Sequence, residues 1–177
     1  YRKDPVRMLK AIKYVSMYNF DLHKSLADII VRNSGLLTQG DKDDILYEYT
    51  QIITGEYTGK ALKMMADLGL LAGVLGEKAV SSAGKTAVKE FGILCNNIDK
   101  TKQIPLRRMA LVAMCFGKRY NDIINYLPYE EEDLKLMIDA DRYSQDLHFA
   151  GNDTLLKQFI YKHGWDGFNF YDKLTKA

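Results

Sequence analysis

The chain has 177 residues, enough for one domain or two small ones with a core of their own. Hydrophobic residues make up 47% and charged residues 27%, which excludes a disordered or fibrous chain and predicts a soluble globular one. A formal net charge of +2 is too small to imply a nucleic-acid partner from the total, and the longest apolar runs, such as LGLLAGVLG, fall far short of a membrane span.

Helical periodicity runs through the sequence, and few stretches alternate at period two. In the opening segment RKDPVRMLKAIKY, residues 2–14, and the Val15 that follows it, Met8, Ala11, Ile12 and Val15 recur at i, i+3, i+4 and i+7 and form one apolar face. Asp4 suits the N-cap and Pro5 the first helical position. A second helix is predicted from about Asp21 to Arg32, with Leu22, Leu26, Ile29 and Ile30 inward and a stop at Asn33 to Gly35. The third follows TQGDKDD with Asp41 as its cap and Ile45, Tyr49, Ile52 and Ile53 inward. The fourth, TGKALKMMADLGLL, stops near Gly69. Later helices are predicted over roughly 83–97, 105–116, 119–126, 130–146 and 152–162. The stretch LGEKAVSSAG, residues 75–84, gathers small and polar residues and marks a soft boundary; NNIDKTKQIP is a second loop. The expectation is an all-α chain, an elongated array of many helices.

Residues with obvious chemistry are sparse. His23, His148 and His163 are not at ligand spacing, and neither C-x-x-C nor H-E-x-x-H occurs, so no metal site is expected from this chain alone. SSAGKT resembles the end of a phosphate-binding loop, but Ala79 stands where the leading glycine belongs and a helix precedes it. Glu130, Glu131, Glu132 and Asp133 read as the acidic first turn of a helix, where they favour its dipole. Cys95 and Cys115 lie in apolar helical runs and read as small buried hydrophobes. With no visible signal peptide, that predicts a reducing, cytoplasmic setting.

The opening block carries more. KDPVRMLKAIKY resembles the start of the neck domain in the tRNA nucleotidyltransferase (CCA-adding enzyme) and poly(A) polymerase family, whose pattern is E-D-P-x-R-[MI]-[LM]-R-A-[IVL]-R-F. Asp4, Pro5, Arg7, Met8, Leu9, Ala11 and Ile12 match it, while Lys10 and Lys13 replace arginines. DILYEYTQIITGEYTGKALKMMADLGLLAGVLGE resembles the family's next block: Ile45, Glu48, Ala61, Leu62, Leu68, Gly69, Leu70, Leu71 and Glu77 keep their places. The two blocks span about residues 2–77. Departures are Lys3 for the first motif Glu, Asp43-Asp44 for a Glu-Arg pair, and MCFGK, Met114 to Lys118, where some relatives carry a metal-binding L-H-D-x-G-K.

The resemblance implies a fold and a role. The fold is a neck over residues 1–78, for nucleotide recognition and RNA binding, followed by a helical body over 79–177. The role is the C-terminal part of an enzyme that adds CCA to tRNA 3′ ends, with Asp4 and Arg7 reading CTP and ATP in place of a template base. The competing local reading is that Asp4 caps the helix and Arg7 pairs with it. Arg2, Lys10 and Lys13 are the candidate RNA contacts, or else a solvated face. The same two readings hold for Arg107, Arg108, Lys118 and Arg119; Tyr47, Tyr49, Tyr120 and Tyr126 are base-stacking or packing residues. The family's metal-binding carboxylates belong to an N-terminal head, G-[GS]-x-x-R-D with D-x-D, and neither pattern occurs here. No catalytic residue and no bound cofactor are therefore expected in this chain. Mg with ATP or CTP, the tRNA 3′ end and the head domain are the implied partners of the parent enzyme. A polyadenylating relative, or a degenerate RNA-binding or scaffold module without catalysis, remain alternatives.

Overall fold

In the computed structural model, residues 4–144 and Lys162 are described. Among them are ten α-helices, three short 3-10 segments and no strand, so the expected all-α class is observed.

The first helix, α1 (Arg7–Tyr18), places Met8, Leu9, Ile12 and Val15 fully out of solvent, and Ala11 half-buried at the edge of that face. It begins later than an Asp4 cap requires. Pro5 and Val6 make a turn into it, Met8 N–H donating to the Pro5 carbonyl at 3.1 Å, and no side chain caps it. Asn19 closes it in the left-handed conformation at φ 58°, its N–H returned to the Val15 carbonyl.

α2 (Lys24–Asn33) starts three residues beyond the expected Asp21, because His23 takes the cap and its Nδ1 accepts from Ser25 N–H. Its apolar residues do not all face inward as predicted. Ile30 is buried, but Ile29 is 40% exposed. The chain then tightens into a 3-10 segment, Ser34–Gln39, that buries Leu37. α3 (Lys42–Ile53) is capped by Asp41, whose carboxylate accepts from Asp43 and Asp44 N–H at 3.0 and 3.1 Å. Ile45, Tyr49, Ile52 and Ile53 are all buried, as their spacing predicts.

α4 (Thr58–Asp67) ends at Gly69, where φ is +73°. Leu70 N–H reaches back to the Met65 carbonyl and Gly69 N–H to Ala66, the paired bonds of a Schellman stop. The predicted boundary loop at 75–84 is instead mostly helical. α5 (Leu71–Leu75) and α6 (Glu77–Ser81) meet at Gly76 and bury Leu71, Val74, Leu75 and Ala79. Further on come α7 (Lys85–Asn97), α8 (Pro105–Met114, proline in its first turn), α9 (Tyr120–Ile124) and α10 (Glu131–Ser144). Glu131, Glu132 and Asp133 occupy the first turn of α10, as expected. The expected helix over 152–162 lies outside the described residues apart from Lys162, which is helical.

α1 packs across α3 and α4, α7 lies on α4, and α8 lies on α3 and α7. Two compact units result, Tyr1–Tyr129 and Glu130–Ala177. Residue 78, the domain limit expected from sequence, sits inside α6 and within the first unit.

Candidate functional site

The candidate residues gather at the start of α1. Its buried face is anchored by Met8, Leu9 and Ile12, which fixes what the opposite face presents. Arg7 lies on that outer face, and its Nε donates to Asp4 Oδ2 at 3.1 Å. Both side chains are open to solvent, 70% for Arg7 and 39% for Asp4. Asp4 therefore does not cap the helix; its carboxylate meets Arg7 alone among the described residues. An exposed pair of this kind adds little stability, roughly 0–1 kcal/mol. It does set a carboxylate acceptor beside a guanidinium donor, both open to a ligand.

Lys10 is exposed one turn further along the same face. Lys13 is placed differently. It points toward α3, where its Nζ lies 2.8 Å from Glu48 Oε2, with the two side chains 19% and 6% exposed. That ion pair ties α1 to α3. Arg2 lies outside the described residues.

The later cations separate in the same way. Arg108 is completely buried. Its guanidinium donates from Nη1 to the carbonyls of Ile53 and Gly55 and to Thr58 Oγ1, from Nη2 to the Thr101 carbonyl, and from Nε to Thr101 Oγ1, all within 3.1 Å. Burial lowers its pKa, against the opposing pull of the Asp99 carboxylate. It holds together the corner between α3 and α4, so it is not available to a phosphate. Sequence alone did not reveal this; the only signal is an arginine inside the apolar run PLRRMALVAM. Arg119 is occupied by Asp122 and Ser82, and Lys118 is exposed. Tyr49 and Tyr120 are buried and serve packing. Tyr126 is half-buried and its hydroxyl accepts from Lys42, whereas Tyr47 is 62% exposed. Cys95 is buried and Cys115 half-buried, both as free thiols. Of the histidines, His23 caps α2; His148 and His163 lie outside the described residues.

Comparison with known proteins agrees with the motif reading. The chain is 31% identical over 72 residues to the CCA-adding enzyme of Geobacillus kaustophilus, a match covering 41% of this chain and 18% of that protein. The CCA-adding enzymes of Geobacillus stearothermophilus and Bacillus licheniformis are each 30% identical over 81 residues, 44% of this chain and 20% of theirs. Over that segment the chain is similar in sequence to CCA-adding enzymes. The similar segment spans about a fifth of the length of these curated relatives. No family model and no solved structure matches the chain. Among the described residues no group of three or more His, Cys, Asp and Glu side chains is placed to hold a metal ion. No helix among them is long and apolar enough to cross a membrane.

Proposed function

We propose that this chain is the nucleotide- and RNA-recognition part of a tRNA nucleotidyltransferase that adds CCA to tRNA 3′ ends, with Asp4 and Arg7 selecting CTP and ATP. The observation that carries the reading is the exposed Asp4–Arg7 pair, 3.1 Å apart and without a capping duty. Cytosine and adenine each present an exocyclic amino donor next to a ring-nitrogen acceptor. The Asp4 carboxylate accepts from the first and the Arg7 guanidinium donates to the second. Uracil and guanine present a carbonyl and an N–H at those places, so both contacts turn repulsive. Two charged hydrogen bonds are ample to discriminate bases, at about 1.5–3 kcal/mol each. Lys10 lies a turn away on the same face and suits a phosphate of the triphosphate or the RNA.

In this reading nucleotidyl transfer itself belongs to a metal-binding head of the parent protein, which supplies the Mg that accompanies the substrates. The chain's contribution is to hold and choose the base.

The test is nucleotide addition by the full-length protein to tRNA lacking its 3′ CCA, with CTP and ATP given singly and together. Wild type adds two C and one A. Arg7→Ala loses about ten- to a hundred-fold in rate, or admits UTP and GTP. Runs of A alone identify a polyadenylating relative. Unaltered rate and selectivity in Arg7→Ala would remove the recognition role from this pair.

A further inference from the structure

The exposed face of α1 does not end at Lys10. Arg7, Lys10, Tyr14 and Tyr18 fall at i, i+3, i+7 and i+11, one stripe along the helix, and all four are exposed. Tyr14 and Tyr18 stack, with ring centroids 6.2 Å apart and planes 18° from parallel. Phe20 continues the series at 5.6 Å from Tyr18. The three rings are 51%, 58% and 58% exposed, an unusual outlay of aromatic surface for a soluble chain.

The ladder is held in place from behind. The left-handed turn at Asn19 swings Phe20 beside Tyr18, and Lys60 fixes that turn by donating to both the carbonyl and the side-chain oxygen of Asn19 at 3.0 Å. The same Lys60 lies 2.7 Å from Asp21, so the acid beside the ladder is neutralised. The stripe thus reads as two cations at one end and three rings at the other.

We infer that the Tyr14–Tyr18–Phe20 ladder is a base-stacking platform for the unpaired 3′ end of an RNA whose backbone passes Lys10, with the Asp4–Arg7 pair left to the incoming base. Stacking suits any base, because each has a π face, and Lys10 gives the backbone a cation beside the rings. From Arg7 to Tyr18 the helix rises about 16 Å, room for roughly four to five nucleotides at ~3.4 Å each. The inference rests on the recognition reading for its choice of RNA, and it is separable from that reading in the laboratory.

The probe is an unstructured hexaribonucleotide of C and A, bound to the full-length protein and followed by fluorescence anisotropy across a salt series, without triphosphates. Tyr14→Ala, Tyr18→Ala and Phe20→Ala should each weaken binding about five- to a hundred-fold with the salt slope unchanged. Tyr18→Phe should bind as wild type. Lys10→Ala should lower the salt slope by about 0.7. Melting temperatures within a degree or two of wild type establish that the alanine variants are folded, as expected for exposed rings. Wild-type affinity in all three alanine variants overturns the platform. So does a change in sedimentation mass without a change in RNA affinity, which would assign the rings to a protein interface. If the platform fails while Arg7→Ala still relaxes CTP and ATP selection, the recognition reading survives alone. The reverse result leaves the platform and removes the pair.

Discussion

A guanidinium buried without a carboxylate in contact must take its compensation from dipoles, and Arg108 does so. Its donors reach the carbonyls of Ile53, Gly55 and Thr101 and the hydroxyls of Thr58 and Thr101. Removing the side chain leaves three buried carbonyls and two hydroxyls without their charged donor. Arg108→Ala is expected to destabilise the protein by about 3 kcal/mol or more, read as a fall in the urea midpoint. Arg108→Lys should recover less than half of that, because a single ammonium cannot span the fork of acceptors. Lys13 and Arg108 share a lesson. Each reads in the sequence as a cation available for phosphate, yet each is used inside the fold. Arg7 and Lys10 read the same way and are exposed. Burial separates the two kinds, and the spacing of apolar neighbours signals it only for residues on a regular helix face.

At the scale of elements, the contact of α1 with the α3–α4 corner is close enough to need glycine. A Cβ on Gly55 would lie 2.0 Å from Ser16 Oγ and 2.6 Å from the Ser16 carbonyl. Ser16 is itself held, its hydroxyl donating to Ile52 O at 2.6 Å and its carbonyl accepting from Tyr57 N–H. Gly55→Val should therefore cost about 3 kcal/mol. Gly92→Ala, in the interior of α7 with nothing within 4 Å of the added carbon, should stabilise by about 1 kcal/mol; paired denaturation curves check both. The helices most legible in the sequence carry their own start signals and a regular stripe: α3 with Asp41 and its four inward residues, α8 with Pro105. Legibility failed where tertiary packing overrides local pattern. LGEKAVSSAG reads as a soft boundary, yet packing of Leu71, Val74, Leu75 and Ala79 holds α5 and α6 in helical form. Ile29 reads as inward because it is apolar, but α2 buries only Ile30 fully. The Asp4–Arg7 pair was visible through motif likeness; the ladder was not, since exposed aromatics and core aromatics look alike in one dimension.

For the whole molecule, the thiols give stability a pH dependence. Burial, partly offset by Lys63, pushes Cys95 up from 9.0 to about 11; burial, followed by the neighbouring Cys95, pushes Cys115 from 9.0 to about 12. Tyr49 is also raised well above 10.0, first by burial. A thiol with a higher pKa in the fold keeps its proton there after the unfolded chain has lost its own. The contribution to stability is complete below about pH 9 and is lost as pH climbs toward 11 and 12. The urea midpoint should fall between pH 8 and pH 10.5, and less steeply in a Cys95→Ala, Cys115→Ala variant. At pH 8 both thiols of the native protein should react slowly with a disulfide reagent.

The anchorage of Arg108 also bears on how this architecture can be cut and recombined. The segment that carries the two motif blocks, residues 2–77, contains the α3–α4 corner, but the donor that completes that corner arrives from α8. A chimera that joins residues 1–78 to a foreign C-terminal half inherits the acceptors without their partner. A transplantable unit has to run at least through Met114. A crossover placed after α8 keeps Arg108 together with the acceptors it serves and leaves this corner intact.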